Sequence, residues 1–223
     1  MIDIPVLNSD GQQVDTLQLD EQLLGGTVRP ALLKQAYVRG HANRRQGTAA
    51  TKNRARTEGS TRKIYKQKHT GNARRGAIRT NIMRGGGRGH GKVPHSWRKD
   101  MPDKMRRLAN RNALLAKAVD GEIKLVDHLT FAKPSTKQFA QLLEKLKIER
   151  SCLVALADTR GHEARSAVNL PHVRVARIDH IDVFTLLNHR FLLTDKATLA
   201  GYLERAAGPS HEKEVAAIPE EAN

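Results

Sequence analysis

The sequence contains a single cysteine, Cys152, and no long apolar run. One cysteine excludes an internal disulfide framework and a cysteine-rich zinc site. Because Cys152 lies in the apolar stretch Cys152–Leu156, we expect a buried, inert thiol. No stretch approaches membrane-spanning length, and the first residues show no basic segment followed by an apolar one. We therefore expect a soluble intracellular protein without a signal peptide.

Aromatic residues make up 4% and hydrophobic residues 39% of the 223 residues, a low share for a globular chain. Part of the chain should therefore build no core. Acidic residues are scarce in its centre, where residues 39–111 hold 22 Lys and Arg against three acids. The remainder holds 17 basic and 20 acidic residues. The net charge of +16 thus resides in one third of the chain and predicts a polyanionic partner.

The central segment also lacks the large side chains that would fold it. Between positions 44 and 92, the large apolar or aromatic residues are Ile64, Tyr65, Ile78, Ile82 and Met83. Such a segment cannot bury enough apolar area to offset its ordering entropy. We therefore expect residues 44–96 to form a long extended loop that becomes ordered on its partner.

The cations of this loop are the candidate RNA-binding residues. Each cation that neutralises a phosphate releases counterions, and Arg can hold a phosphate with two hydrogen bonds. The loop shows no zinc-finger spacing, heptads or helix-turn-helix, and Tyr65 is its one aromatic residue, so folded RNA is favoured over duplex DNA or a base-stacking platform. A membrane-surface role would need an amphipathic apolar face, which the five scattered apolar residues of the loop do not supply. The predicted RNA-binding residues are Arg44, Arg45, Lys52, Arg54, Arg56, Arg62, Lys63, Lys66, Lys68, Arg74, Arg75, Arg79, Arg84, Arg88 and Lys92.

Two further patterns, a glycine-rich segment and the many histidines, could indicate a nucleotide site or a metal site, but each lacks required residues or spacing. Residues 86–92 fit the first seven positions of a phosphate-binding P-loop, but Val93 replaces the magnesium-binding Ser or Thr and no apolar strand precedes them. The ten histidines show no metal-ligand spacing, and no nucleophile–base pair can be assigned. We predict no catalytic residue, metal or cofactor, and hence no enzyme. A nucleotide-dependent enzyme and a free RNA-binding regulator or chaperone remain the alternatives.

The flanks, residues 1–43 and 97–207, predict a single α/β domain. The predicted strands are residues 4–7, 123–126, 152–156, 173–178 and 191–194. The predicted helices begin near residues 28, 102, 135, 182 and 195. This alternation predicts a three-layer sandwich with a mostly parallel central sheet. Residues 208–223 are polar and acidic, so we expect a disordered tail.

A series of short motifs carries a family resemblance. They are Arg45-Gln46-Gly47-Thr48, Lys52-x-Arg54-Ala55, Gly59-Ser60, Lys66-Gln67-Lys68-x-Thr70-Gly71-x-Ala73-Arg74, Gly76, Arg84-Gly85-Gly86 and Pro134-Ser135-Thr136-Lys137. With these motifs the chain resembles, over about residues 2–206, the bacterial form of the universal large-subunit ribosomal protein four family. The resemblance implies a cytoplasmic structural constituent of the large ribosomal subunit, which supports assembly.

The resemblance also implies partners and a role for the loop tip. The partners would be large-subunit ribosomal RNA, which the loop penetrates, neighbouring ribosomal proteins, and the nascent peptide in the exit tunnel. The residues implied to line the tunnel are Arg62, Lys63, Tyr65, Lys66, Gln67, Lys68 and His69. Some family members regulate their own operon through messenger RNA, which the resemblance extends to this chain as a hypothesis.

Three loop positions depart from the family pattern. His69 stands where the family usually has Gly, Asn72 where it usually has Arg, and Tyr65 where Trp is common. His69 adds a Cβ where glycine can use a positive φ. Asn72 removes one phosphate contact, which the nearby Arg75 could replace.

Overall fold

The computed structural model describes residues 1–207, so the predicted tail at 208–223 lies outside the described residues. The chain divides into two structural units. One contains Met1–His41 and the chain from Asp100 onward, and the other is Ala42–Lys99.

A mixed six-stranded sheet forms the centre of the first unit. Its strands are β1 (Ile2–Leu7), β2 (Gln13–Leu19), β3 (Ile123–Val126), β4 (Cys152–Leu156), β5 (Val173–Arg177) and β6 (Phe191–Asp195), in the spatial order β2-β1-β3-β6-β4-β5. Neighbouring strands are parallel except for β1 and β2, which form an antiparallel pair. The predicted α/β fold with a mostly parallel sheet is therefore confirmed. β2 was not predicted, because this edge strand buries only Leu19 and shows no apolar alternation.

Six α-helices occur in the described chain. They are α1 (Pro30–Asn43), α2 (Asp103–Val119), α3 (Thr136–Lys145), α4 (His162–Ala167), α5 (Val183–Asn188) and α6 (Lys196–Ala207), with a 3-10 turn at Ile178–His180. The helix expected from residue 28 begins at Pro30 instead, because proline tolerates the first helical position, where no N–H partner is needed. The helix predicted to begin near residue 135 starts at Thr136, and Ser135 caps it, since its Oγ accepts a hydrogen bond from Gln138 N at 3.4 Å. α4 was not predicted, because its six residues are too few to show a helical period.

Hydrophobic side chains are buried on both faces of the sheet. Leu125, Leu153 and Leu192 belong to a cluster that includes residues of α1, α2, α5 and α6. Their neighbours Val126, Val154 and Leu193 belong to a second cluster, with residues of α3 and α4. Successive side chains of a strand point to opposite faces, so helices pack against both sides of the sheet.

The lone cysteine lies in the second of these clusters. Cys152 is fully buried, and burial raises the pKa of its thiol to about 12. A thiol with so high a pKa stays protonated near neutral pH and is a poor nucleophile. The prediction of a buried cysteine is therefore confirmed.

Candidate nucleic-acid interface

The second unit, Ala42–Lys99, folds without a core. After the end of α1, the one strand-like pairing among these residues, all of which the structure describes, is an isolated antiparallel bridge between Lys63 and Ala77. Within the same range only Gly87 is buried. This follows from the shortage of large apolar side chains, and it means that backbone hydrogen bonds rather than apolar packing determine the local shape.

Backbone hydrogen bonds join two limbs of this unit. From the base outward, the donor–acceptor pairs are His95 N–Gly47 O, Thr51 N–Lys92 O, Arg88 N–Lys52 O and Ile64 N–Gly76 O, with distances of 2.8 to 3.1 Å. The paired positions converge along the sequence, so the limbs run antiparallel and the chain reverses between Ile64 and Gly76. The backbone on either side of this reversal is thus paired with itself.

Two glycines permit the closest approaches between the limbs. A Cβ on Gly47, whose φ is +70°, would lie 2.1 Å from the carbonyl oxygen of His95. A Cβ on Gly87 would lie 2.2 Å from the backbone nitrogen of Arg54. Both distances are far below van der Waals contact, so these positions require glycine for the limbs to meet.

The reversal at the end of the limbs is braced by its own side chains. The Tyr65 hydroxyl donates a hydrogen bond to Ala73 O across the turn. Lys63 Nζ donates to Gln67 Oε1 at 2.7 Å and to Arg75 O at 2.9 Å. Three of the predicted tip residues, Lys63, Tyr65 and Gln67, therefore stabilise the turn.

His69 lies within this turn in a backbone conformation that suits glycine. Its φ is +65°, in the left-handed region that β-carbon-bearing residues rarely adopt. Holding a residue with a Cβ there costs roughly 1 kcal/mol or more. His69 thus keeps the conformation available to the glycine that is usual in the family.

The predicted RNA-binding cations all lie in this unit, and all are exposed except Arg75 and Arg79, which are half-buried. Arg79 Nη1 donates to Thr57 O at 3.3 Å, across the limbs. Arg75 Nη1 lies 3.4 Å from the sulfur of Met83. The remaining thirteen cations present their charge to solvent, where a polyanion can reach them.

The sequence-based search missed Trp97, which directly follows the predicted loop boundary at residue 96. The Arg45 guanidinium lies 3.8 Å from the centroid of the Trp97 ring, and the His95 ring meets the indole edge-on at 4.8 Å. The three residues line an open cavity of about 480 Å³ between the bases of the limbs. The available signal was that the only tryptophan of the chain adjoins its most basic segment.

The P-loop interpretation of residues 86–92 is not supported by the local structure. No strand precedes this stretch and no helix follows it directly. Its backbone N–H groups at Gly87 and Arg88 donate to Arg79 O and Lys52 O rather than pointing into an anion site.

The described residues also contain no cluster of His, Cys, Asp or Glu suited to a metal ion. None of the helices in residues 1–207 has the length and apolar character to span a membrane.

Comparison with known proteins identifies relatives of the chain. The family model described as Ribosomal protein L4/L1 family matches residues 17–205. The chain is 38% identical to the large ribosomal subunit protein uL4 of Dehalococcoides mccartyi (strain ATCC BAA-2266 / KCTC 15142 / 195), over 88% of this chain and 94% of that protein. It is 42% identical to the Moorella thermoacetica uL4, over 88% and 95% of the two chains, and 40% identical to the Desulforudis audaxviator uL4, over 87% and 94%. The chain therefore belongs to the ribosomal protein L4/L1 family, whose members are structural, non-enzymatic proteins of the ribosome.

Proposed function

We propose that this protein is a structural constituent of the large ribosomal subunit in the cytoplasm, where it binds large-subunit ribosomal RNA through a basic loop at residues 44–96. The loop is carried by a three-layer α/β sandwich formed by residues 1–43 and 97–207. The observation that supports this proposal most strongly is the exposure of thirteen of the fifteen predicted RNA-binding cations on a limb-paired segment without a core.

This architecture suits the interior of a folded RNA. Two antiparallel limbs with small residues between their cations can enter a crevice between RNA helices, where each limb meets phosphates. Each phosphate neutralised adds roughly 0.7–0.9 to the salt dependence of binding. RNA would supply the stabilisation that a hydrophobic core supplies elsewhere, so the loop supports assembly by joining RNA elements and contacting neighbouring ribosomal proteins.

The loop tip is proposed to line part of the nascent-peptide exit tunnel. The turn braced by Lys63, Tyr65 and Gln67 leaves Arg62, Lys66, Lys68 and His69 exposed at the end of the limbs. A narrow, cationic, self-braced turn can project between RNA strands and still meet a passing peptide. This assignment rests on the family resemblance together with the exposure of these residues.

The same exposed cations would bind messenger RNA through phosphates, so regulation of the protein's own message stays a prediction. A free RNA-binding regulator is the competing function. Sedimentation of cell extract at moderate and high salt, with detection of the protein across the gradient, separates the two. We expect salt-resistant residence in the large-subunit fractions. Recovery mainly at the top of the gradient, with the large subunit lacking the protein, would reject the scaffold function.

A further inference from the structure

We propose that the cavity at the base of the loop is a binding site for an unpaired RNA base, which stacks on the ring of Trp97. The inference rests on the proposed RNA-binding function and adds to it a contact with a base in place of a phosphate. Residues Arg45, Gly47, Pro94, His95, Trp97 and Arg98 line the cavity together with neighbouring polar side chains.

The aromatic geometry of the cavity favours a flat, π-bearing ligand. Trp97 is half-buried, so part of its ring remains open to solvent. Arg45 lies over the ring at 3.8 Å, and His95 supports the ring from its edge. Because Arg45 covers one part of the indole, the base stacks on the ring surface that stays open to solvent, a contact open to any base because every base has a π face.

The position of the ring is held by the backbone around it. His95 N donates to Gly47 O at 3.0 Å, which fixes the two limbs beside the indole. A Cβ on Gly47 would lie 2.7 Å from Trp97 Cδ1, so the backbone of one limb lies directly against the ring of the other. These contacts hold the indole against the backbone of the other limb.

The size and charge of the cavity fit one nucleotide. A volume of about 480 Å³ falls within the roughly 300–1,000 Å³ of small-ligand sites. Arg45 and Arg98 bring positive charge to the lining, and Gln46, Thr48 and Ser96 bring groups able to hydrogen-bond a base edge. A phosphate would contact only the cations of the lining, whereas a base would also contact the indole ring of Trp97.

The unique tryptophan makes the site directly observable in the full-length protein. Oligoadenylate should quench Trp97 emission on binding, whereas inorganic polyphosphate, which carries charge without bases, should bind and quench much less. Affinity for end-labelled oligoadenylate should fall roughly 5- to 150-fold in Trp97→Ala, the range expected for loss of one stacked base. The salt slope of binding should stay unchanged, because no phosphate contact is lost.

Two variants control for structural effects. Trp97→Phe keeps an aromatic face and should retain most of the affinity. Val93→Ala shortens an exposed apolar side chain that does not line the cavity and should bind as the wild type does. Equal affinity of Trp97→Ala and wild type, or equal quenching by both polyanions, would overturn the stacking site while leaving the phosphate-binding loop intact. Failure of the wild type to bind oligoadenylate, while a folded large-subunit RNA fragment still binds, would overturn the stacking site alone. Failure to bind either RNA at moderate salt would overturn the proposed function, and this inference with it.

Discussion

The side chain of Asn43 makes two hydrogen bonds to the backbone of Lys99. Lys99 N donates to Asn43 Oδ1 at 2.8 Å, and Asn43 Nδ2 donates to Lys99 O at 3.2 Å. The two residues are the ends of the basic excursion, one at the C-terminus of α1 and the other near the last residues before α2. This amide clamp therefore closes the base of the loop with two hydrogen bonds.

Asn43→Ala should loosen the base of the loop without unfolding the α/β unit. Loss of both hydrogen bonds removes a constraint that holds the limbs in register, and exposed bonds of this kind contribute about 1 kcal/mol each. We expect faster amide exchange at Thr51 and His95, measured by hydrogen–deuterium exchange, with unchanged exchange in β4 and β6. Asn43→Asp, which keeps the acceptor and loses the donor, should lie between the two. Unchanged exchange at both amides would show that the clamp has no structural effect.

Asn112→Ala should strongly destabilise the α/β unit. Asn112 is fully buried on α2, where Oδ1 accepts from Arg29 N at 2.7 Å and Nδ2 donates to Thr27 O at 2.6 Å. Truncation leaves two backbone groups without their partner, which should lower the free energy of unfolding by about 2 kcal/mol or more. Chemical denaturation measures this change. The exposed Arg107→Ala on the same helix should change stability by less than about 0.5 kcal/mol, and equal effects of the two variants would contradict the account.

The contribution of Asp195 to the free energy of unfolding should fall as the pH rises from about 4 to about 6. Burial raises the pKa of its carboxyl to about 6, with Glu163 adding to the rise, while the Leu129 N–H, His128 and the Thr198 side chain oppose it. The folded state therefore binds the proton more tightly than the unfolded state, and this stabilisation is present below pH 4 and lost through pH 6. Asp195→Asn should remove that component. Urea midpoints of the two proteins at pH 4.5 and pH 7 measure it, and a difference that does not depend on pH would contradict the assignment.

The salt dependence of RNA binding should report the exposed tip cations. Replacing Arg62, Lys66 and Lys68 by Gln should reduce the slope of log affinity against log salt by roughly 2 to 3, because each removes one phosphate contact. The control replaces two exposed cations of the α/β unit, Lys133 and Arg160, by Gln and should leave the slope unchanged. Filter binding or anisotropy over a salt series gives the slopes. An unchanged slope in the triple variant would mean that the tip does not contact phosphates in that RNA.

The sequence was informative wherever a pattern repeats within one element. α3, with its cap at Ser135, and the fully buried β4 were predictable because helical spacing and a continuous apolar run are local signals. β2 escaped prediction because an exposed edge strand is stabilised by pairing with β1, which its own residues do not encode. The clustering of loop cations likewise followed from composition alone.

The internal organisation of the loop was not predictable in the same way. The pairing of Thr51 with Lys92 depends on close backbone approaches between residues distant in sequence. Such approaches leave no helical or strand periodicity in the sequence. Trp97 was missed because the loop boundary drawn from composition ended one residue before it. His69 was noticed only as a departure from the family pattern, and its positive φ became evident from the backbone.

We propose that exposed cations of the loop, rather than the α/β unit, anchor the protein in the large subunit. Deleting residues 56–79 removes the tip and eight Lys and Arg, while the limb pairs at Gly47–His95, Thr51–Lys92 and Lys52–Arg88 lie outside the deletion. A second variant keeps the length and replaces those eight cations by Gln, which separates charge from length.

The decisive measurement is the fraction of each variant that sediments with large subunits at high salt. It is made in cells in which the wild-type protein has been depleted and only the variant remains. Circular dichroism and urea midpoints first verify that the α/β unit is folded. Both variants should fold, be missing from the large-subunit fractions and remain near the top of the gradient. Retention of both variants in the large subunit at the wild-type level would contradict this proposal.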